Sequence, residues 1–313
     1  MARYLLHRLA LGIVVLFGLM VATFLIVHLV PGDPIRQALG GRASPDQVAA
    51  IRHNVGLDDP LPVQFWDYLK NALSGNFGTS FVQNASVGEL VGHRIAPSAI
   101  LIGYGMFVAI AIGVPLAILA AVRPNGVTDH SVRLVATLSF AMPLFWLGLV
   151  LALVFGLKLG WFPVSGYESG VGGVMRTLTL PAFTLGLALT VVVVRVLRSS
   201  LLEVLQTDYI DAARARGFSE RRIVGKHALR NAVMPTITIL AINVGFLIGN
   251  TVVVEAIFRI PGLGSLLVEG VQRSDYQLVQ GLVLLAGATV VLASLFADLL
   301  QAFIDPRVRL AGR

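Results

Sequence analysis

The residues of this 313-residue chain that are equipped for chemistry gather in one place: from Asp208 to Pro235 the sequence runs DYIDAARARGFSERRIVGKHALRNAVMP. Catalysis would need a nucleophile beside a base, a metal would need ligands at matched spacing, and a nucleotide would need a glycine-rich phosphate cradle. The sequence has no GxxxxGK[ST], HExxH or GxSxG pattern, its six histidines are scattered, and it has no cysteine. SGNFGTS (Ser74–Ser80) has loop glycines without a neighbouring base. Chemistry by this chain alone is therefore not expected, which leaves transport, sensing or scaffolding, and the charged stretch is built for contact. Asp208 and Asp211 suit the positive N-terminal end of a helix, the alanines that follow propagate it, and Gly217 permits the left-handed turn that ends it. Ser219 is then expected to cap a second helix running to about Ala232. Ala212, Ala213 and Ala215 keep the surface low, so that another backbone can come close, while arginines hold the stretch at the water boundary. A basic hairpin resting on anionic lipid has the same composition, and the residues alone leave both possibilities open.

The elements that must hold this stretch are membrane helices. Hydrophobic residues make up 56% of the chain and charged residues 13%, against about 25% charged in ordinary soluble domains. Six apolar runs are long enough to span: Leu9–Val30, Pro97–Val122, Leu134–Leu157, Leu178–Leu197, Pro235–Val254 and Leu278–Ile304. Each must be a helix, because lipid offers backbone amides no partner. Pro115 and Pro143 are expected to kink their spans without breaking them. The first run is too long for the apolar core of a signal peptide and lacks a small-residue cleavage site, so it reads as an uncleaved anchor.

Six spans put both termini on one side, and the basic residues say which. With the N-terminus inside, 15 of the 24 lysines and arginines fall on inner segments, and only Lys158, Arg176, Arg259 and Arg273 lie on short outer loops. The net charge of +7 is then a topology signal rather than a nucleic-acid surface, and Asp208–Ala232 lies in the cytoplasm.

Pro31–Ala96 is a long outer segment with helical signals. In SPDQVAAIRHNVG, Ser44 can cap, Pro45 suits the first turn, Gln47 completes a capping box and Gly56 suits the stop. A second helix over Val63–Leu73 presents Phe65, Trp66, Leu69 and Leu73, either to neighbouring helix ends or to an outside partner. The fifth span carries Gly245 and Gly249 in GxxxG spacing beside Asn243 and Asn250. This pattern serves helix packing, or else Asn243, Asn250 and Glu255 line a translocation path. Asp298, two turns from the inner end of the last span, is expected to pair with a cation, Arg195 or Arg198 being at the right depth, or else to snorkel to water.

Asp211-Ala212-Ala213, three residues, then Gly217 resembles the EAA loop of binding-protein-dependent ABC importer permeases, with Asp in place of Glu and the expected proline at Pro235 instead of Arg230. Tyr209-Ile210, ARARG at Ala213–Gly217 and HALRNA..P at His227–Pro235 are similar to the dipeptide, oligopeptide and nickel branch. So are LVPGDP (Leu29–Pro34), GLDDPLPVQF (Gly56–Phe65), EAIFRIPGLG (Glu255–Gly264) and DPRVR (Asp305–Arg309). The resemblance implies an all-α, six-helix permease of the type I importer class: an N-terminal anchor over 1–30, a small helical extracytoplasmic segment over 31–96, and a five-helix core over 97–313 with a coupling loop over 206–232. It implies that Asp208, Tyr209, Asp211, Ala212, Ala213, Ala215, Gly217, Phe218, Ser219 and Arg222 meet an ATPase. The partners it implies are a second permease, two ATPase subunits or one double ATPase chain, an extracytoplasmic binding protein and the bilayer of a bacterial cytoplasmic membrane. ATP and Mg²⁺ would sit on the ATPases, and this chain would bind no cofactor or metal. Cargo would be a di- or oligopeptide, with glutathione or a nickel chelate as the alternative. A secondary transporter working without ATP is a different class; it predicts inverted repeats or ionisable relays, and no internal repeat occurs.

Overall fold

The computed structural model describes residues 2–29, 35–36, 44–54, 56–80 and 82–304. Among the described residues five helices are long and apolar enough to cross a membrane: Leu6–Leu29, Val87–Val122, Val171–Leu205, Glu220–Phe258 and Tyr276–Leu299. The first lies in α1 (Ala2–Leu29). A broken pair makes a sixth: α5 (Val127–Ala141) and α6 (Leu144–Leu151), the latter continued by a π-helical turn over Ala152–Lys158 and bent 103° from its partner. The protein is an all-α polytopic membrane protein, as the composition requires. Pro115 stays inside α4 (Val87–Val122), as expected, but Pro143 does not merely kink its span. Its ring disfavours the helical conformation in the residue before it. Met142 is accordingly extended (φ −80°, ψ 129°), and a new helix starts after Pro143.

The chain forms two compact units, Met1–Ser98 with Pro261–Leu292, and Ala99–Ile260 with Ala293–Arg313. In the first unit α2 (Pro45–Asn54) ends as expected at Gly56, which has φ +71°. The amide of Gly56 donates to the His53 carbonyl and that of Leu57 to the Arg52 carbonyl, a Schellman stop. α3 (Leu61–Leu73) lays Phe65 edge-on against Phe24 and Phe17 of α1, at 5.2 and 6.2 Å between ring centres. Of the predicted stripe Phe65 thus packs on a neighbouring helix, while Leu69 is half-buried and Trp66 and Leu73 remain exposed. Two short strands, β1 (Thr79–Ser80) and β2 (Ala85–Ser86), pair antiparallel. The buried Ser80 hydroxyl bonds the buried Asp275 carboxylate before α12 (Tyr276–Ile304). Between them α11 (Leu263–Gln272) packs Leu266 against Val87, Leu278 and Leu282.

In the second unit α4 and α7 (Val171–Leu205) approach closely: a Cβ on Gly186 would sit 2.7 Å from the Gly105 carbonyl oxygen. One apolar cluster joins Leu101, Leu178, Leu185, Val254 and Phe258. A second joins Ala117 and Ala121 of α4 and Leu197 and Leu201 of α7 to the charged stretch that follows.

Candidate functional site

The Asp208–Ala232 stretch folds as two arms. The first is α8 (Asp208–Ala215), ended by Gly217 at φ +77°. Phe218 N–H donates to the Ala213 carbonyl and Gly217 N–H to the Arg214 carbonyl, the same stop as at Gly56. A glycine serves there because other residues pay a steric penalty in the left-handed region.

The second arm departs from expectation. It begins at α9 (Glu220–Arg222), passes through a π-helical turn over Ile223–Ala228, and runs without interruption into α10 (Leu229–Phe258). It does not stop near Ala232 as a separate helix under the membrane. Nothing after Ala232 provides a stop: Pro235 lies inside α10. Ser219 also acts differently, because its side chain makes no capping bond and only its backbone carbonyl receives the amides of Arg222 and Ile223.

Side chains brace the two arms. Arg214 spans the turn, donating from Nε to Glu220 and from Nη1 to Asp211, both at 3.0 Å. The Glu220 bond, followed by that to Asp211, raises the Arg214 pKa above its ordinary value. Asn231 donates to the Tyr209 hydroxyl at 2.8 Å. Phe218 stacks on His227 with 5.6 Å between ring centres, and the Arg222 guanidinium lies 4.6 Å from the Phe218 ring centre. These partners are far apart in sequence or lie across a turn, and no local pattern announces them.

Beneath the hairpin, Ile210, Ala213, Ile223, Ala228 and Ala232 are buried against Leu197, Leu201, Ala117 and Ala121. Ala213 therefore faces the core and is not part of a low outer surface, a correction to the expectation for that residue. Asp208, Tyr209, Asp211, Ala212, Ala215, Gly217, Ser219 and Arg222 are exposed, and Phe218 is half-buried. The arrangement is a stiff, water-facing projection with two exposed alanines and a ring of charges, continuous with a membrane helix.

A buried ion pair that the sequence reading missed lies near its root. Asp129, fully buried, receives Arg198 Nε and Nη2 at 2.6 Å each and the Asn125 amide at 2.9 Å. Arg198 is thereby committed to Asp129 and not to Asp298. Asp298 is buried and Arg195 exposed. Of the path candidates, Asn243 and Asn250 each turn their side-chain amide back to their own helix, onto the Ile239 and Phe246 carbonyls at 2.8 Å. Glu255 is fully buried and Gly249 is exposed with open space around its Cα. These residues share one helix and are not gathered into a site.

Among the described residues no cluster of three or more His, Cys, Asp or Glu is arranged to hold a metal. Comparison with known proteins gives the same architecture. Residues 113–310 match the family model described as binding-protein-dependent transport system inner membrane component, and residues 1–100 match its N-terminal counterpart. The chain is 41% identical over 309 residues to the glutathione transport system permease protein GsiC of Salmonella typhi, covering 99% of both chains. It is 37% identical over 317 residues, again 99% of both, to a Brucella ovis protein whose name assigns it to peptide permeases. Among solved structures it resembles an inward-facing form of the MetNI methionine ABC transporter, with TM-score 0.58 and 18% identity over 69% of this chain and 96% of that one. The chain belongs to the family of inner-membrane components of binding-protein-dependent transport systems.

Proposed function

We propose that the chain is one permease subunit of an ATP-driven importer, and that with a second, similar permease it forms the membrane path for peptides delivered by an extracytoplasmic binding protein. The observation that carries this is the braced hairpin. Its exposed alanines admit a close-fitting groove, its charges keep it in water, and its second arm continues as α10. An ATPase subunit that grips such a hairpin and closes on nucleotide would tilt α10 as a rigid body, which is how a change at one end becomes a change of access at the other. ATP and Mg²⁺ act on that partner, and this chain supplies the lever. Di- or oligopeptides are the cargo class. Glutathione is a peptide of the same class, and the relatives that carry its name favour including it. A nickel chelate is the remaining alternative, and direct binding of each candidate to the cognate binding protein separates the three.

The lever is tested in vesicles containing all subunits. Gly217→Val opposes the left-handed turn at a cost of about 1–2 kcal/mol, and Ala212→Trp places bulk on the exposed surface. Both variants are expected to remain in the membrane, paired with the second permease, while cargo-stimulated ATP hydrolysis and uptake fall at least about tenfold, the equivalent of about 1.4 kcal/mol of lost coupling. Normal uptake by both would eliminate the lever.

A further inference from the structure

We propose that α3 is an in-plane helix seated at the membrane boundary, with its Trp66–Leu69–Leu73 flank in lipid. The depth comes from α1. Phe65 sits between Phe24 and Phe17 of that helix, in edge contact with both. Phe24 and Phe17 lie about 8 and 18 Å in from Leu29 at 1.5 Å per residue, so the Phe65 ring, held between them, reaches below the end of α1 into the outer half of a hydrocarbon layer about 30 Å thick. Tyr68 reinforces the same level, its hydroxyl 3.0 Å from Thr23 Oγ1 and its ring stacked on Phe24. Gln280, one turn into α12, donates to the Thr23 carbonyl. A helix held at this height by side chains that reach down α1 cannot stand free in the water beyond it.

The faces of α3 divide accordingly. Phe65, Tyr68 and Ala72 point toward the protein. Gln64, Asp67 and Asn71 follow on one side and line, with His28, a cavity of ≈ 190 Å³. Trp66, Leu69 and Leu73, spaced i, i+3, i+7, follow on the other, with Trp66 65% and Leu73 75% exposed. The occupant of that flank is identified by what it continues. Leu25, Ile26 and Leu29 of α1 are 48%, 58% and 76% exposed on a helix long and apolar enough to cross a membrane, so the surroundings that suit them are acyl chains. Tryptophan prefers the boundary, where its ring meets lipid and its N–H meets water. Lys70, next on the wheel, can reach the headgroups.

The chain has no cysteine, so single nitroxide labels report position directly. Full-length protein carrying Trp66→Cys, Leu73→Cys, Ile26→Cys or Asp67→Cys, reconstituted in phosphatidylcholine/phosphatidylglycerol nanodiscs, is exposed to oxygen, which concentrates in lipid, and to a nickel chelate, which stays in water. The oxygen-to-chelate collision ratio at positions 66 and 73 is expected to match that at 26 and to exceed that at 67 by about fivefold or more, as for a helix lying in the interface. Ratios at 66 and 73 equal to that at 67 would overturn the proposal. So would a chelate-accessible position 66 that becomes protected only when the binding protein is added, which would make the flank a protein-docking face.

Discussion

Ala212 and Ala213 are neighbours in sequence with opposite surroundings. Ala212 is exposed, whereas Ala213 is 7% exposed and packs into the cluster of Leu197, Leu201 and Ile223. A tryptophan at 213 must displace that core, at about 1–3 kcal/mol or more, and is expected to lower the amount of folded chain in the membrane. The same residue at 212 should leave the amount unchanged and act on uptake alone, a contrast that immunoblotting and transport assays read side by side. Asp129 is the other decisive single residue. Removing one member of a buried pair strands the other charge and costs about 3–5 kcal/mol, less here because Arg198 keeps 17% of its side chain in solvent. Asp129→Ala should therefore lower the thermal midpoint in detergent, and adding Arg198→Met should recover part of the loss. Full additivity of the two changes would show that the pair is not coupled. We also propose that buried Asp298 is paired with Arg195. Asp298→Ala and Arg195→Ala should then reduce assembled protein less than additively.

At the scale of elements, the hairpin's second arm matters for what it does not do, which is end. Glu220 to Phe258 is one helix of 39 residues, charged at its start and apolar beyond, so a push on the hairpin would meet no helix end on its way into the membrane, only the proline at 235. The π-helical turn over Ile223–Ala228 is its one irregularity in the hairpin, and the stacked Phe218–His227 rings lie against it. Inserting two glycines after Arg230 introduces that joint, since each glycine costs about 1 kcal/mol of helix propensity. The complex is expected to assemble and hydrolyse ATP while uptake falls; unchanged uptake would mean that α10 does not transmit the motion. The break at Pro143 is the contrasting case, because a proline at a helix start is tolerated where one inside a span must find other partners for the freed carbonyls.

At the scale of the whole molecule, the distribution of lysine and arginine predicts that the hairpin and both termini share the cytoplasmic side. An impermeant thiol reagent added to intact cells should label Asp46→Cys and spare Ser219→Cys, and the reverse pattern would invert the topology. Membrane class, the number of apolar runs, the stops at Gly56 and Gly217 and the start of the hairpin at Asp208 were legible in the residues, because each depends on local composition, periodicity or the steric demands of one backbone position. LVPGDP beyond Leu29 and the terminal DPRVR lie outside the described residues. What could not be read locally was which way each small or charged residue faces. Ala213 turned inward, Arg198 chose Asp129 over Asp298, Tyr209 met Asn231, and the hairpin's second arm merged with α10. Arg198 and Asp129, for example, are 69 positions apart. Sequence alone determined that this chain must cross a membrane and project a charged hairpin from it. Tertiary packing decided what the hairpin is anchored to, because burial and ion pairing are properties of neighbours in space and not of neighbours in the chain.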